Sequence, residues 1–331
     1  MKTRRLVLAF AVLAGAISIP TGPSAAALSR EGRIIVDGDK LMLVSPKTGN
    51  ATAVTGRRAA DPQFSPDGTK ILFARYGDGV WVMRSDGSRV RKLAGGRIGY
   101  FGWAPDGRNI VFHRYTDPKS FDEGAILRIG IGEDSRPKRL TSGRFIDQDP
   151  LWSPSGSHIL FKRSHELRIM DADGANSHPL FERGEAIQYG ASFSPEGISV
   201  VYSTIDYSVE PTRGRVEKVN IDGSGHEVLA EYSSPDRLSL RTEWSPDGTK
   251  IAFERYGSRI TLHVMNSDGS GKKKLVSPRL LQDFAWSRDS STLTYLWRDD
   301  GRSHVAVVEV DTEARRKLAT SGNHWSSLDW H

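Results

Sequence analysis

The stretch Trp244-Ser245-Pro246-Asp247-Gly248-Thr249-Lys250-Ile251-Ala252-Phe253 decides the fold. Its first half reads as a turn: Pro presets φ for the first turn position, Asp bonds back to its own backbone, and Gly takes the positive φ that returns the chain as a hairpin. Its second half places an aliphatic residue third and an aromatic fifth after the glycine, a period of two that means strand. An aromatic strand therefore ends in a tight turn, and a second strand leaves it.

The phrase recurs along the chain. It begins at Phe64, Trp103, Trp152 and Phe193 as well as at Trp244, survives in worn form as Trp286-Ser287-Arg288-Asp289-Ser290, and has a last aromatic at Trp330. Successive aromatics are 39, 49, 41, 51, 42 and 44 residues apart, close to the roughly 40–45 residues of a four-stranded propeller blade. The strand pair recurs with it, as Ile71 and Phe73, Ile110 and Phe112, Ile159 and Phe161, Val200 and Tyr202, Ile251 and Phe253, Leu293 and Tyr295. A third strand follows in each copy, for example Val80 to Met83 and Leu262 to Met265. Asp-Gly turns close four of these third strands, and a fourth strand carries Leu at 93, 140, 180, 229, 275 and 318.

The ends complete the count. Ile34 to Val36, Leu41 to Val44 and Ala51 to Thr55 read as a second, third and fourth strand, whereas residues 325 to 330 read as a first strand with nothing after it. Joined, they make a blade. The expectation is an all-β, seven-bladed β-propeller of four-stranded antiparallel blades, fastened non-covalently by its two ends, with six blades as the alternative.

The phrase, the aliphatic-x-aromatic strand after it and the Asp-Gly turn before a Leu together are similar to the propeller repeat of the TolB family. That repeat is shared with the propellers of prolyl oligopeptidase-like proteins. The resemblance covers essentially all of residues 28–331 and implies a periplasmic propeller that binds a partner in the cell envelope. In that family an α/β domain precedes the propeller; residues 28–32 leave no room for one here, so its lipoprotein-binding role is not carried over.

The first residues set the expected compartment. Lys2, Arg4 and Arg5 precede an apolar run from Leu6 to Ile19 and a small-residue stretch ending at Ala25-Ala26-Ala27, the plan of a cleavable secretory signal. The run is shorter than the roughly 20 residues of a membrane span. Residues 1–27 are thus expected to be a signal peptide and residues 28–331 a single propeller, secreted or periplasmic and without stable membrane insertion. The chain has no cysteine, which removes disulfides, thiolate metal sites and cysteine nucleophiles. Its net charge of +6 falls to +3 once the three signal-peptide cations are set aside, and 46 basic and 40 acidic residues are interleaved. No polybasic block marks a nucleic-acid partner.

Chemistry is sparse. No G-x-S-x-G elbow is present. The nine histidines are scattered, with no H-E-x-x-H pair, and Asp171-Ala172-Asp173-Gly174 lacks the spacing of a calcium loop. No cofactor is expected, and the chain is read as a monomeric, non-catalytic binder of a protein or cell-envelope component. The alternative is a channel-mouth enzyme, such as a lyase acting on acidic oligosaccharides. Some oligogalacturonate lyases resemble this fold and hold a metal with histidines from different blades; His113 and His165 are the residues considered for that role.

The most informative pattern sits at the seventh position after the turn glycine: Arg75, Arg114, Arg163 and Arg255, followed in three cases by Tyr76, Tyr115 and Tyr256. These positions end second strands, on the face opposite the Pro-Asp-Gly turns. First strands begin there with Asp61, Tyr100, Asp149, Arg241 and Asp283. Two readings are open: a structural ring in which each Arg meets a neighbouring Asp and ties blades together, or a basic, aromatic funnel for an anionic peptide terminus or acidic sugar. The two long repeats also lengthen this face, from Arg114 to Gly124 and from Thr204 to Gly214, where Tyr115, Phe121, Asp122, Tyr207 and Glu210 are expected above the channel. The candidate contacts are Arg75, Tyr76, Arg114, Tyr115, Arg163, Tyr207, Arg241, Arg255 and Tyr256.

Overall fold

A computed structural model describes residues 32–117, 123–181, 187–209, 212–233, 241–255 and 259–331. The proposed signal segment lies outside the described residues. Seven four-stranded antiparallel sheets follow one another around an axis, and no helix occurs among the described residues. The first strand of each blade is Leu328–Trp330 in blade 1, then Ala60–Phe64, Ile98–Trp103, Asp147–Trp152, Ile187–Phe193, Thr242–Trp244 and Leu281–Trp286 in blades 2 to 7.

Blade 1 is assembled from both ends of the described chain. Leu328–Trp330 pairs with Ile34–Val36, in the register Ile34 to Trp330 and Val36 to Leu328. Arg33 and His331 exchange amide-to-carbonyl bonds of 2.6 and 2.8 Å just beyond that ladder. The ring is thus closed by hydrogen bonds and packing alone.

The core lies between blades because a sheet buried on both faces needs a neighbour on each side. The aromatic of each second strand meets the preceding blade: Phe73 packs with Ile35 and Leu41 of blade 1, Phe161 with Val111 and Ile126 of blade 3, and Phe253 with Val201 and Leu229 of blade 5. All three are fully buried, and each such side chain contributes about 1.5–3 kcal/mol relative to an exposed one. That burial explains why the aliphatic-x-aromatic pair recurs.

The turn phrase holds its shape through its serine as well as its proline, aspartate and glycine. Ser245 Oγ donates to Asp247 (2.6 Å) and accepts from the Lys250 amide (2.9 Å), while Gly248 sits at φ 73°. Ser65 and Ser287 repeat the arrangement. In the worn copy Ser290 itself takes φ 61°, so the backbone path survives the loss of glycine.

Two expectations about length change. The fifth-blade insertion is sheet rather than loop as far as Asp206 and Arg213, which pair with each other. In blades 3 and 4 the fourth strand shrinks to Lys138–Arg139 and His178–Pro179, with Leu140 and Leu180 just past it. These strands edge the ring, where few ladder bonds are demanded.

Candidate functional site

First strands of blades 2, 3, 4, 5 and 7 shift register near their start, between Ala60 and Gln63, Ile98 and Phe101, Gln148 and Leu151, Tyr189 and Ser192, and Leu281 and Asp283. Such bulges place two residues opposite one and bend the strand. Asp61 and Asp149 occupy them at φ 51° and 55°, a region that Asp tolerates better than most residues.

The arginines gather on the face opposite the Pro-Asp-Gly turns, but they do not form the expected ring of interblade ion pairs. Arg163 grips Asp147 with two parallel bonds, Nε to Oδ1 at 2.6 Å and Nη2 to Oδ2 at 2.9 Å, and Asp147 belongs to the same blade. Arg241 does reach the next blade, where it pairs with Asp283. Arg75 and Arg255 lie on rings, Arg75 over Trp81 at 4.0 Å and Arg255 over Tyr232 at 4.6 Å. Arg114 is partly buried; burial first, then Arg139, holds its guanidinium below the usual range. The reason is local: aromatic side chains stand beside the second strands, and a guanidinium stacks on the nearest ring whether or not a carboxylate also holds it, as Arg163 does on Phe145.

Exposure separates the tyrosines. Tyr76 is 88% exposed and Tyr207 54%, whereas Tyr115 packs edge-on against His113, 4.4 Å between centroids, with Arg97 over its ring. Tyr256, Phe121, Asp122 and Glu210 lie outside the described residues.

Below this rim the channel wall is acidic, a feature missed in reading the chain. Glu243 is partly exposed and has Arg241 at 3.5 Å. Burial, helped by Asp329 and opposed by Arg241, pushes its carboxyl up to about 7. Glu254, which is buried, rises to about 7 through that burial. Glu243 and Asp329 both precede the repeat aromatic, a position that staples blades: Asp329 accepts from the Phe64 amide (2.7 Å), Gln63 donates to the Phe101 carbonyl (2.9 Å), and Ser192 accepts from the Trp244 amide (3.4 Å). Polarity just before four of the seven aromatics, at Gln63, Ser192, Glu243 and Asp329, was the available signal.

His113 is wholly buried, its two ring nitrogens lack hydrogen-bond partners, and its ring fills space left by Gly99 and Gly124. Among the described residues, no three His, Asp or Glu side chains converge as metal ligands. The described residues do not fit a histidine metal site of that kind.

No family model matches the chain. It is 28% identical over 214 residues to the uncharacterized protein Atu1656 of Agrobacterium fabrum, covering 59% of this chain and 69% of that one. Its fold is similar to TolB from Acinetobacter baumannii, at a TM-score of 0.56 and 15% identity over 89% of this chain and 67% of that protein. An oligogalacturonate lyase in complex with manganese has a TM-score of 0.54 at 16% identity, over 66% of this chain and 64% of the lyase. The chain is a TolB-like seven-bladed propeller in fold. At these identities the likeness extends to architecture alone.

Proposed function

We propose that the protein is an exported, non-catalytic binding propeller whose loop-rich channel face docks a protein or cell-envelope component. One observation carries this reading. Of the eight large apolar side chains that stand exposed among the described residues, Tyr76, Tyr100, Phe145, Tyr207 and Leu280 all lie on that face. Exposed aromatics interleaved with arginine are the composition of binding surfaces, where rigid rings contribute area and guanidinium groups contribute directional bonds. Arg163 over Phe145 at 4.5 Å is such a unit, already oriented by Asp147. Export rests on the basic and apolar segment within residues 1–27.

The test is recovery of partners from an envelope fraction by purified protein. Tyr76→Ala with Tyr207→Ala, and separately Arg114→Glu with Arg255→Glu, are expected to lose a partner that Ile198→Ser, away from this face, retains. Equal recovery by all three variants would remove the proposed face.

A further inference from the structure

On the opposite face, six blades join first to second strand through the Ser-Pro-Asp-Gly turn or its worn copy, but blade 1 cannot. There Trp330-His331 and Gly32-Arg33 lie side by side, linked only by hydrogen bonds. An open cleft of about 580 Å³ stands beside this seam, within the size range of small-molecule sites. Its charged walls are Arg33, Lys70, Arg84 and Arg288, with Asp67 and Asp86.

The two carboxylates are committed to their own turns. Asp67 accepts from Ser65 Oγ (2.5 Å), the Thr69 amide (3.0 Å) and the Thr69 hydroxyl (2.8 Å). Asp86 accepts from the Ser88 amide at 2.8 Å. Lys70 reaches Asp67 at 3.8 Å and the Thr69 hydroxyl at 3.2 Å, but the arginines are less well served. Arg33 donates to the Gly68 carbonyl at 2.6 Å, and Arg288 only grazes the Pro66 carbonyl at 3.4 Å. Arg288 stands where five copies of the phrase have proline, so this departure from the repeat aims a guanidinium across the seam.

A second observation points the same way. Lys70 and Arg84 are directly opposite each other on neighbouring strands, an arrangement that repels. The equivalent pairs in blades 3 to 7 are Asn109 and Gly130, His158 and Asp171, Ser199 and Asn220, Lys250 and Asn266, and Thr292 and Glu309. None of these sets two cations together. The like-charged pair occurs in blade 2, which supplies most of the cleft's lining, where an anion lying between them would relieve the repulsion.

We propose that this seam cleft binds a small multivalent oxyanion, a ligand carrying two or more phosphate or carboxylate groups. Four cations around one opening match several negative groups better than a single one, and guanidinium favours planar, two-point contacts with both chemistries. The site is independent of the loop-rich face and of any partner bound there.

The experiment is calorimetric titration of the full chain at low ionic strength with pyrophosphate and with citrate, with acetate as the monovalent control. Saturable one-to-one binding is expected for at least one of the first two, weakening as salt rises. The tighter probe tells phosphate from carboxylate. Arg84→Gln with Arg288→Gln is expected to weaken it roughly tenfold or more, while the exposed single variant Arg84→Gln melts no lower than the parent without ligand and still binds more weakly. No saturable binding of either probe up to millimolar concentration, or unchanged affinity in a folded Arg84→Gln protein, overturns the proposal.

Discussion

Asp37, just past the second strand of blade 1, accepts hydrogen bonds from the Ser326 amide (2.5 Å) and the Ser326 hydroxyl (2.6 Å), 289 residues further along the chain. It also takes the Ser327 amide at 3.0 Å. One buried carboxylate therefore latches the two ends of the ring beside the short ladder from Ile34 to Trp330. Burial works to raise its pKa and the three donors work to lower it, with burial prevailing.

Asp37→Ala should destabilise the whole ring, because the Ser326 and Ser327 amides lose a charged partner. The expected cost is about 2–3 kcal/mol, read as a shift in urea midpoint at unchanged slope. Deleting residues 324–331 should do more, since buried Trp325 and Leu328 go with them and an apolar sheet edge is exposed. A truncated protein that stayed soluble and kept the parent Tm would contradict closure by this strand.

Arg163→Met leaves Asp147, which has no exposure to water, without its bidentate partner. An uncompensated buried carboxylate costs about 3 kcal/mol or more. Adding Asp147→Asn should recover much of the loss. A double-mutant cycle with no coupling would show that the pair does not hold the blade.

Glu254→Gln should stabilise the protein at alkaline pH but not at acid pH. The folded carboxyl is raised to about 7 from an ordinary 4.5, chiefly by burial. Its stabilising contribution is full below the ordinary value and lost as pH rises through about 7. Thermal melts at about pH 4 and pH 8 should therefore show a Tm gain only at the higher value.

His113→Phe is expected to flatten the acid side of the stability profile. Burial holds the imidazole down to about 4, against the pull of Asp149 and Asp147. The contribution is complete above the ordinary value of 6.5 and lost as pH falls towards 4. Urea unfolding at about pH 7, 5.5 and 4.5 should show a smaller acid loss in the variant; an identical profile would remove His113 from the account. His263, lowered to about 4 mainly by burial, keeps part of the slope in place.

Much of the architecture was legible because it is written in short-range chemistry. Gly68, Gly107 and Gly248 take positive φ because the turn permits little else there, and Phe73 or Phe161 falls on a buried face because strand periodicity puts it there. The same locality made the arginine positions visible at the ends of second strands. It could not reveal their partners: Arg163 finds Asp147 across its own hairpin, Arg241 finds Asp283 in the next blade, and Arg75 lies over Trp81.

Turn residues, two-residue alternation and repeat length by themselves determined strand order, the propeller class and which face carries the long hairpins, since each acts over a few bonds, while the pairing of the two chain ends fixed seven blades over six. Only the packed ring decided the acidic channel around Glu243 and Asp329, the buried neutral His113, and the cationic cleft where Arg288 approaches Pro66. Those features depend on how one sheet is rotated against the next. That rotation is set by interdigitating side chains from separate repeats, a cooperative quantity that no single stretch of the chain encodes.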